Sequence, residues 1–137
     1  MNKKNRTTRS LHLERLFQPK KICVKRSKIH RWGVFAKKSI KKYEILEESP
    51  YFAVPIEEIN HATSCMTYSY VFDDKFYIIG MGNCGLYNHS FDSNVDYEID
   101  KVNEVMRHYA TRDIDEGEEL TLNYGEENAK YFDNGNK

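Results

Sequence analysis

The sequence lacks a long apolar run, which excludes a protein anchored by a conventional transmembrane helix. No stretch approaches the roughly 20 consecutive apolar residues that such a helix needs. The N-terminal residues also lack the apolar core of a secretory signal peptide. We therefore expect an intracellular protein, and the sequence does not separate cytoplasm, nucleus and secretion into a host cell.

Cysteine is equally scarce, and its pattern excludes the usual zinc and disulfide frameworks. Cys23, Cys65 and Cys84 are odd in number and widely spaced, with no Cys-x-x-Cys pair. The five histidines are scattered, and none has a second histidine or cysteine at ligand spacing. The sequence therefore predicts reduced thiols and no metal site.

Helical periodicity is nearly absent, and only residues 55–66 show it, with Pro55 suited to a first helical turn. Short β-branched or aromatic runs cut by turn residues predict strands at 22–24, 34–36, 44–54, 75–79, 95–99, 105–110 and 120–124. A chain of 137 residues is sufficient for one compact domain. We predict a mostly β domain over residues 21–125, a flexible basic tail over 1–20 and a short C-terminal segment over 126–137.

Acidic residues are almost missing from the first third of the chain. Residues 1–42 contain fifteen Lys and Arg and one acid, a net charge of +14, whereas residues 43–137 contain six bases and twenty acids, a net charge of −14. An acidic surface attracts cationic ligands. We therefore expect a basic protein or peptide as partner, and charge alone does not decide whether the basic part contacts nucleic acid.

Two short segments resemble each other. Residues 39–46 and 113–120 share an isoleucine in second place, a charged turn, and a glutamate before the next apolar residue. Each is typical of a strand, a tight turn and a returning strand, so we predict two similar hairpins.

Residues 80–85 fit the pattern G-x-G-x-x-G and follow a predicted strand. In a dinucleotide-binding unit the third glycine opens a helix. Here the chain continues into the turn-rich residues 87–94, which have no helical period. We therefore reject a dinucleotide-binding fold.

Two further motifs are ambiguous when each is considered alone. Asn88, His89, Ser90 and Asn94 concentrate hydrogen-bonding side chains in seven residues, as in Asx turns. Residues 117–125, Gly-Glu-Glu-Leu-Thr-Leu-Asn-Tyr-Gly, predict a strand leading into a sharp bend. Tyr124 in this bend could be an ordinary edge aromatic or could project its hydroxyl into a site.

The order of these motifs is more specific than any one of them. Arg-Trp-Gly-Val-Phe-Ala at 31–36 precedes the Asn-His-Ser motif, and Glu-Leu-Thr-Leu-Asn-Tyr-Gly at 119–125 follows it. In this order the chain resembles the SET-domain protein lysine methyltransferases, and most of all the minimal SET proteins of viruses and bacteria. The resemblance covers residues 21–125. It implies a β-clip-like fold of small sheets with a C-terminal pseudoknot, and a transferase that uses S-adenosylmethionine.

The resemblance also implies roles for individual residues. It assigns cofactor binding to Arg31, Trp32, Gly33, Asn88, His89 and Tyr124. It assigns catalysis to Tyr124 and Tyr97, and the walls and rim of a lysine channel to Tyr70, Tyr97, Tyr124, Leu122 and Glu48. The implied reaction methylates a lysine of a basic protein such as a histone tail. Tyr97 in the channel favours addition of few methyl groups.

The chain departs from the family pattern at several positions. Arg31 and Tyr43 stand where the family usually has glycine, and Glu48 stands where many members have a channel tyrosine. The cysteine-rich segment that often closes the site is missing, so Tyr131 and Phe132, or a second subunit in a homodimer, would have to close it. Two alternatives to an enzyme stay open: a degenerate SET module that binds basic peptides, and a small nucleic-acid-binding β domain.

Overall fold

The computed structural model describes residues 12–59 and 69–126. Within these ranges the chain forms nine strands, which are β1 (Ile22–Arg26), β2 (Trp32–Ala36), β3 (Ile45–Pro55), β4 (Ser69–Val71), β5 (Phe76–Gly80), β6 (Asn88–His89), β7 (Val95–Asp100), β8 (Val105–Ala110) and β9 (Glu119–Leu122). Two single-turn 3₁₀ helices, Ile56–Glu58 and Cys84–Leu86, are the helical elements. Neither is long or apolar enough to cross a membrane.

The strands form two sheets. The first has the order β1-β2-β9-β6, and the second has the order β4-β5-β3-β8-β7. The pairs are antiparallel except for β6 and β9, which run parallel. Strand β9, the last of the described strands, therefore lies between β2 and β6 inside the first sheet.

The main core lies between the sheets, because it takes Val34, Leu120 and Leu122 from the first sheet and Leu46 and Ala110 from the second. A smaller core belongs to the second sheet and includes Tyr51, Ile78, Cys84 and Met106. Tyr70 and Tyr97 pack against both cores. They therefore occupy the boundary at which the two cores meet.

The predicted mostly β fold is confirmed. The seven predicted strands correspond to β1, β2, β3, β5, β7, β8 and β9. Strands β4 and β6 were not predicted, since they have three and two residues and contain Ser69, Asn88 and His89. A helix was expected over 55–66. In the structure β3 extends to Pro55, and one 3₁₀ turn follows it. The rest of the expected helix, from residue 60, lies outside the described residues.

The two similar segments pair with each other and are not separate hairpins. Ile40 and Ile114 form an antiparallel bridge with backbone bonds of 2.9 and 2.8 Å. The following turns match, since Tyr43 (φ 72°) and Gly117 (φ 94°) are both left-handed. Tyr43 therefore occupies a turn position that favours glycine, and its backbone keeps the left-handed conformation that glycine adopts readily.

The glycine-rich residues 80–85 end β5 and lead into the 3₁₀ helix Cys84–Leu86 and then β6. Residues 87–94, which follow them, form no α-helix. This arrangement agrees with the rejection of a dinucleotide-binding fold.

The described part of the expected N-terminal tail is attached to the second sheet. The backbone amide of Leu13 donates to Asn103 Oδ1 at 3.0 Å, and that of Phe17 donates to Glu48 Oε1 at 2.7 Å. Residues 12–20 contain no strand or helix, yet they are fixed at two points. The flexible tail over 1–20 stays a prediction.

Candidate active site

Parallel pairing of β6 with β9 brings two of the three motifs together. Asn88 pairs with Thr121 and His89 with Leu122. Tyr124 follows β9, its backbone amide donates to His89 Nδ1 at 3.0 Å, and its hydroxyl donates to the Tyr87 carbonyl. The phenol of Tyr124 therefore lies beside residues 87–89.

Asn94, four residues after Ser90, links the Asn-His-Ser motif to β9 by two hydrogen bonds. Its Nδ2 donates to the Glu119 carbonyl at 2.9 Å, and its Oδ1 accepts from the Thr121 amide at 2.8 Å. Asn94 is buried, so both bonds are shielded from water. This side chain fixes β9 in the position that places Tyr124.

The third motif joins through a group that we call the carboxylate cluster: Ser27, Asn88 and Glu119. Asn88 Nδ2 donates to Glu119 Oε2 at 2.8 Å, and Ser27 Oγ donates to Glu119 Oε1 at 2.7 Å. The same Nδ2 lies 3.0 Å from the His30 carbonyl and 3.2 Å from the Trp32 carbonyl. The cluster therefore connects β6 and β9 with the loop before β2.

Each residue of the Arg31-Trp32-Gly33 motif has a distinct geometry beside this cluster. A Cβ at Gly33 would collide with Glu119 Oε2 and lie 3.1 Å from Asn88 Nδ2, so a larger residue would have to displace the Glu119 carboxylate. Arg31 has a φ of 44°, in the left-handed region where the family usually has glycine. Trp32 is 46% exposed and carries the Arg26 guanidinium 4.3 Å above its ring.

On the other side of residues 87–89 lies a group that we call the aromatic cluster: Tyr70, Tyr87, Tyr97 and His108. The His108 ring stacks on Tyr87 with centroids 4.7 Å apart and planes within 7°. Tyr70 meets Tyr97 edge-on at 4.7 Å. The Tyr70 hydroxyl donates to the Cys84 carbonyl at 2.6 Å and lies 3.2 Å from His108 Nε2.

A buried carboxylate supports this cluster from behind. Tyr87 donates its hydroxyl to Glu47 Oε1 at 2.6 Å, and the Asn83 amide donates to Glu47 Oε2 at 3.3 Å. Ser49 Oγ lies 3.2 Å from the same Oε2 atom. Glu47 is thus hydrogen-bonded despite its burial, which such a group requires.

Burial moves each pKa in the aromatic cluster toward the neutral form. It raises the pKa of Tyr70, Tyr87 and Tyr97, and it is the largest cause in each case. It also raises the pKa of Tyr124, with a smaller contribution from Glu119. Burial lowers the pKa of His108 to about 3. The four phenols are protonated and the imidazole is neutral at physiological pH.

Glu48 is not at the rim of this cluster, which corrects the expectation from the sequence. It pairs with Arg107 across β3 and β8, and Arg107 Nε donates to Glu48 Oε2 at 2.6 Å. The next register position pairs Glu47 with His108 instead. Neighbouring strand residues face opposite sides of a sheet, and an irregularity between Ile45 and Glu47 shifts the register. Glu47 therefore faces the aromatic cluster and Glu48 faces away.

The other predicted residues divide between the site and the core. Tyr70, Tyr97, Asn88, His89 and Tyr124 lie in or beside the two clusters, as described above. The Leu122 side chain belongs to the main core, and its carbonyl accepts the Ser90 amide at 2.9 Å. Tyr131 and Phe132 lie outside the described residues.

Sequence reasoning missed several residues of the site: Ser27, Glu47, Tyr87, His108 and Glu119. Glu119 lies inside a recognised motif, but its alternation with Leu120 indicated only a strand. His108 carries one usable signal, because it interrupts the apolar run 105–110 and all six residues of that strand are buried. Within the described residues, no three His, Cys, Asp or Glu side chains could share a metal ion.

Comparisons with known proteins agree with this geometry. The signature described as SET domain matches residues 31–125. A histone-lysine N-methyltransferase of Schizosaccharomyces pombe, H3 lysine-37 specific, is 30% identical over 97 residues, which are 69% of this chain and 66% of the relative. One of Neurospora crassa, H3 lysine-4 specific, is 33% identical over 117 residues, which are 77% of this chain and 9% of the relative.

The chain thus spans just under two thirds of the first curated relative and a small part of the second. The crystal structure of a proposed histone methyltransferase of Plasmodium falciparum has a TM-score of 0.67 and 32% identity, covering 80% of this chain and 96% of that one. The family match takes in all three motifs, from Arg31 to Gly125. The chain therefore belongs to the SET-domain family.

Proposed function

We propose that the chain is a protein-lysine methyltransferase that moves a methyl group from S-adenosylmethionine to a lysine of a basic protein such as a histone. The observation that carries this proposal is the position of the Tyr124 hydroxyl. It is held on the Tyr87 carbonyl, between the carboxylate cluster and the aromatic cluster. The two relatives described above, both histone-lysine N-methyltransferases, support the same reaction class.

The hydrogen-bond acceptors beside Trp32 suit a cationic cofactor. The Glu119 carboxylate and the carbonyls of His30 and Trp32 meet around Asn88 Nδ2, so acceptors are concentrated at this point. The half-exposed Trp32 ring adds aromatic surface beside these acceptors, and one of its faces already carries the Arg26 guanidinium. Residues 31–33, Asn88 and His89 would hold the cofactor here. When bound, S-adenosylmethionine supplies a methyl group activated by a positively charged sulfur.

The aromatic cluster suits the substrate lysine. With a free pKa of about 10.4, only roughly one lysine in 2,500 is neutral at pH 7, a cost of about 4.6 kcal/mol. The surroundings of Tyr70 and Tyr97 already shift tyrosine and histidine pKa values toward neutral forms by burial. The same desolvation lowers the pKa of a lysine that enters. The site therefore needs no dedicated base.

Tyr124 orients groups and does not abstract a proton. Burial raises the pKa of its phenol above 10, so the hydroxyl stays protonated at neutral pH. Its one proton is directed to the Tyr87 carbonyl, and its ring lies 5.2 Å from that of His89. A hydroxyl fixed in this way keeps its lone pairs in constant directions, which suits electrostatic stabilisation of a transfer reaction.

Charge supports a basic substrate. Residues 43–137 have a net charge of −14, and they include β3 to β9, which supply most of the site. Opposite charge raises the local concentration of a cationic protein. We infer a lysine-rich segment as substrate.

The test is incubation of the purified chain with isotope-labelled S-adenosylmethionine and a panel of basic proteins, followed by mass mapping of labelled residues. Wild type and Tyr77→Phe should label a lysine, and Tyr124→Phe should not. Tyr77 is a matched control because it is a half-buried tyrosine of β5 outside both clusters. Peptide binding without transfer would support the degenerate binding module instead. Salt-sensitive nucleic-acid binding without transfer would support the nucleic-acid-binding domain.

A further inference from the structure

We propose that His108 is a positioning residue that holds the Tyr70 hydroxyl as a hydrogen-bond acceptor for the substrate amine. The inference rests on the proposed function and assigns a role to a residue that the SET motifs do not include. It begins from the burial of His108 in the middle of β8. Its side chain has 0% exposure, and it contacts three tyrosines of the aromatic cluster.

The hydrogen bonds at Tyr70 determine which way the protons point. A tyrosine hydroxyl has one proton and two lone pairs. The proton is donated to the Cys84 carbonyl at 2.6 Å, which is the shorter of the two contacts. His108 Nε2, at 3.2 Å, must therefore donate to the Tyr70 oxygen. His108 is the Nε2–H tautomer, with its second nitrogen unprotonated.

The rest of the His108 environment agrees with a neutral ring in this tautomer. Its Nδ1 has no hydrogen-bond partner among the described residues, as suits a nitrogen that carries no proton. A protonated ring would place an unpaired N–H and a charge in the core, which is costly. Stacking on Tyr87, whose hydroxyl is bound to Glu47, fixes the plane of the imidazole.

One lone pair of the Tyr70 oxygen remains after these two bonds. It can accept from an amine N–H and cannot donate, because the proton is already committed to Cys84. A neutral lysine offers two N–H groups and a monomethylated one offers a single N–H. A dimethylated amine offers none. The Tyr70 oxygen, held in place by His108, therefore orients an unmethylated or monomethylated lysine and does not orient a dimethylated one.

A double-mutant cycle tests this role. His108→Leu removes the donor, and His108→Gln keeps an N–H at a similar reach. Each is made in wild type and in Tyr70→Phe, and kcat, KM for S-adenosylmethionine and the ratio of mono-, di- and trimethyl product are measured on the protein labelled by wild type. Thermal melting checks that each variant folds.

We expect His108→Leu to lower kcat for the first methyl group about tenfold, the usual value of one orienting hydrogen bond. KM for S-adenosylmethionine should not change, and His108→Gln should recover most of the rate. In Tyr70→Phe, the His108→Leu change should have no further effect on kcat. An equal loss in both backgrounds overturns the inference, because His108 would then act independently of Tyr70.

A second measurement does not depend on activity. In ¹⁵N-histidine-labelled protein, assigned by the signal lost in His108→Gln, NMR should report the Nε2–H tautomer, with a shift of that nitrogen in Tyr70→Phe. The Nδ1–H tautomer in an active enzyme overturns this inference alone. Failure of wild type to transfer any methyl group overturns the proposed function, whatever the tautomer.

Discussion

The carboxylate cluster and the aromatic cluster touch the same short stretch of chain and have opposite chemistry. In the first, a carboxylate accepts hydrogen bonds from an amide and a hydroxyl, and the same amide contacts two backbone carbonyls beside a half-exposed tryptophan. In the second, burial favours neutral phenols and a neutral imidazole. One region is suited to holding a charged ligand, and the other to removing the charge from an amine.

Strand alternation lets one segment serve both regions. Consecutive residues of an extended chain point to opposite sides. Tyr87 directs its ring to His108, whereas Asn88 directs its amide to Glu119. The Tyr87 carbonyl, between them, accepts the Tyr124 hydroxyl. The two halves of the site are thus separated by a single peptide unit, and mutations can perturb one half without the other.

The largest effect should come from Tyr124→Phe, since Tyr124 lies between the two clusters. We expect methyl transfer to fall at least about a hundredfold, as when a preorganised hydroxyl is lost. Cofactor affinity, measured by calorimetry, should change by less than threefold. Tyr77→Phe is the control. Transfer within threefold of wild type would show that the phenol of Tyr124 has no role in turnover.

The aromatic cluster should make stability depend on pH through His108. Its pKa is about 3 in the folded state and about 6.5 in an unfolded chain. The unfolded state therefore binds more protons between these values, and stability falls as pH drops below about 6.5. We expect His108 to account for about 2 kcal/mol of lost unfolding free energy between pH 7 and pH 5.

Denaturant titrations at the two pH values would measure this dependence, with His108→Leu as the reference. The variant should lose less stability than wild type by that amount. Equal losses in the two proteins would mean that His108 is protonated in the folded state.

In the carboxylate cluster, Glu119→Gln should weaken S-adenosylmethionine binding about tenfold, because it removes a negative charge from the region proposed to hold this cationic cofactor. The neutral amide can keep contacts with Ser27 and Asn88, so folding should be little affected. Calorimetry gives the affinity, and mass spectrometry should show an unchanged ratio of methylated products. A changed product ratio with unchanged affinity would contradict the separation of the two clusters.

The smallest effect should come from Tyr43→Gly, which lies outside both clusters. A tyrosine at φ 72° is strained by about 1–2 kcal/mol, and glycine's extra unfolded-state freedom offsets part of the gain. We expect unfolding free energy to rise by roughly 0.5–1 kcal/mol, with unchanged cofactor affinity and product ratio. Lower stability would show that the Lys42 contact, 5.0 Å above the Tyr43 ring, outweighs the strain.

The mostly β fold could be predicted because most strands are runs of β-branched and aromatic residues. Asn88, His89 and Tyr124 could be selected as candidates because their motifs occur in a specific order. The sequence alone does not predict features that depend on pairing between strands distant in the chain. The irregularity before Glu47 shifts the register between β3 and β8, and no local pattern marks it. Strand β6 has two residues, too few for any periodicity.

The matching turns show the same limit. The likeness of 39–46 to 113–120 was visible in the sequence, and so was the substitution of Tyr43 for a turn glycine. That Ile40 would pair with Ile114, joining the two segments, was not. Local similarity predicts a shared conformation, whereas partner choice is settled by packing in the main core, where both isoleucines are buried.

Insertion of β9 between β2 and β6 has a consequence for how the protein is made. Ser27 and Glu119 are 92 residues apart in sequence yet share a hydrogen bond, so the first sheet closes only after residues 119–122 have left the ribosome. Contacts this distant slow folding. The carboxylate cluster therefore cannot form until the chain is nearly complete, and a ligand that binds only the finished sheet would favour the folded state by mass action.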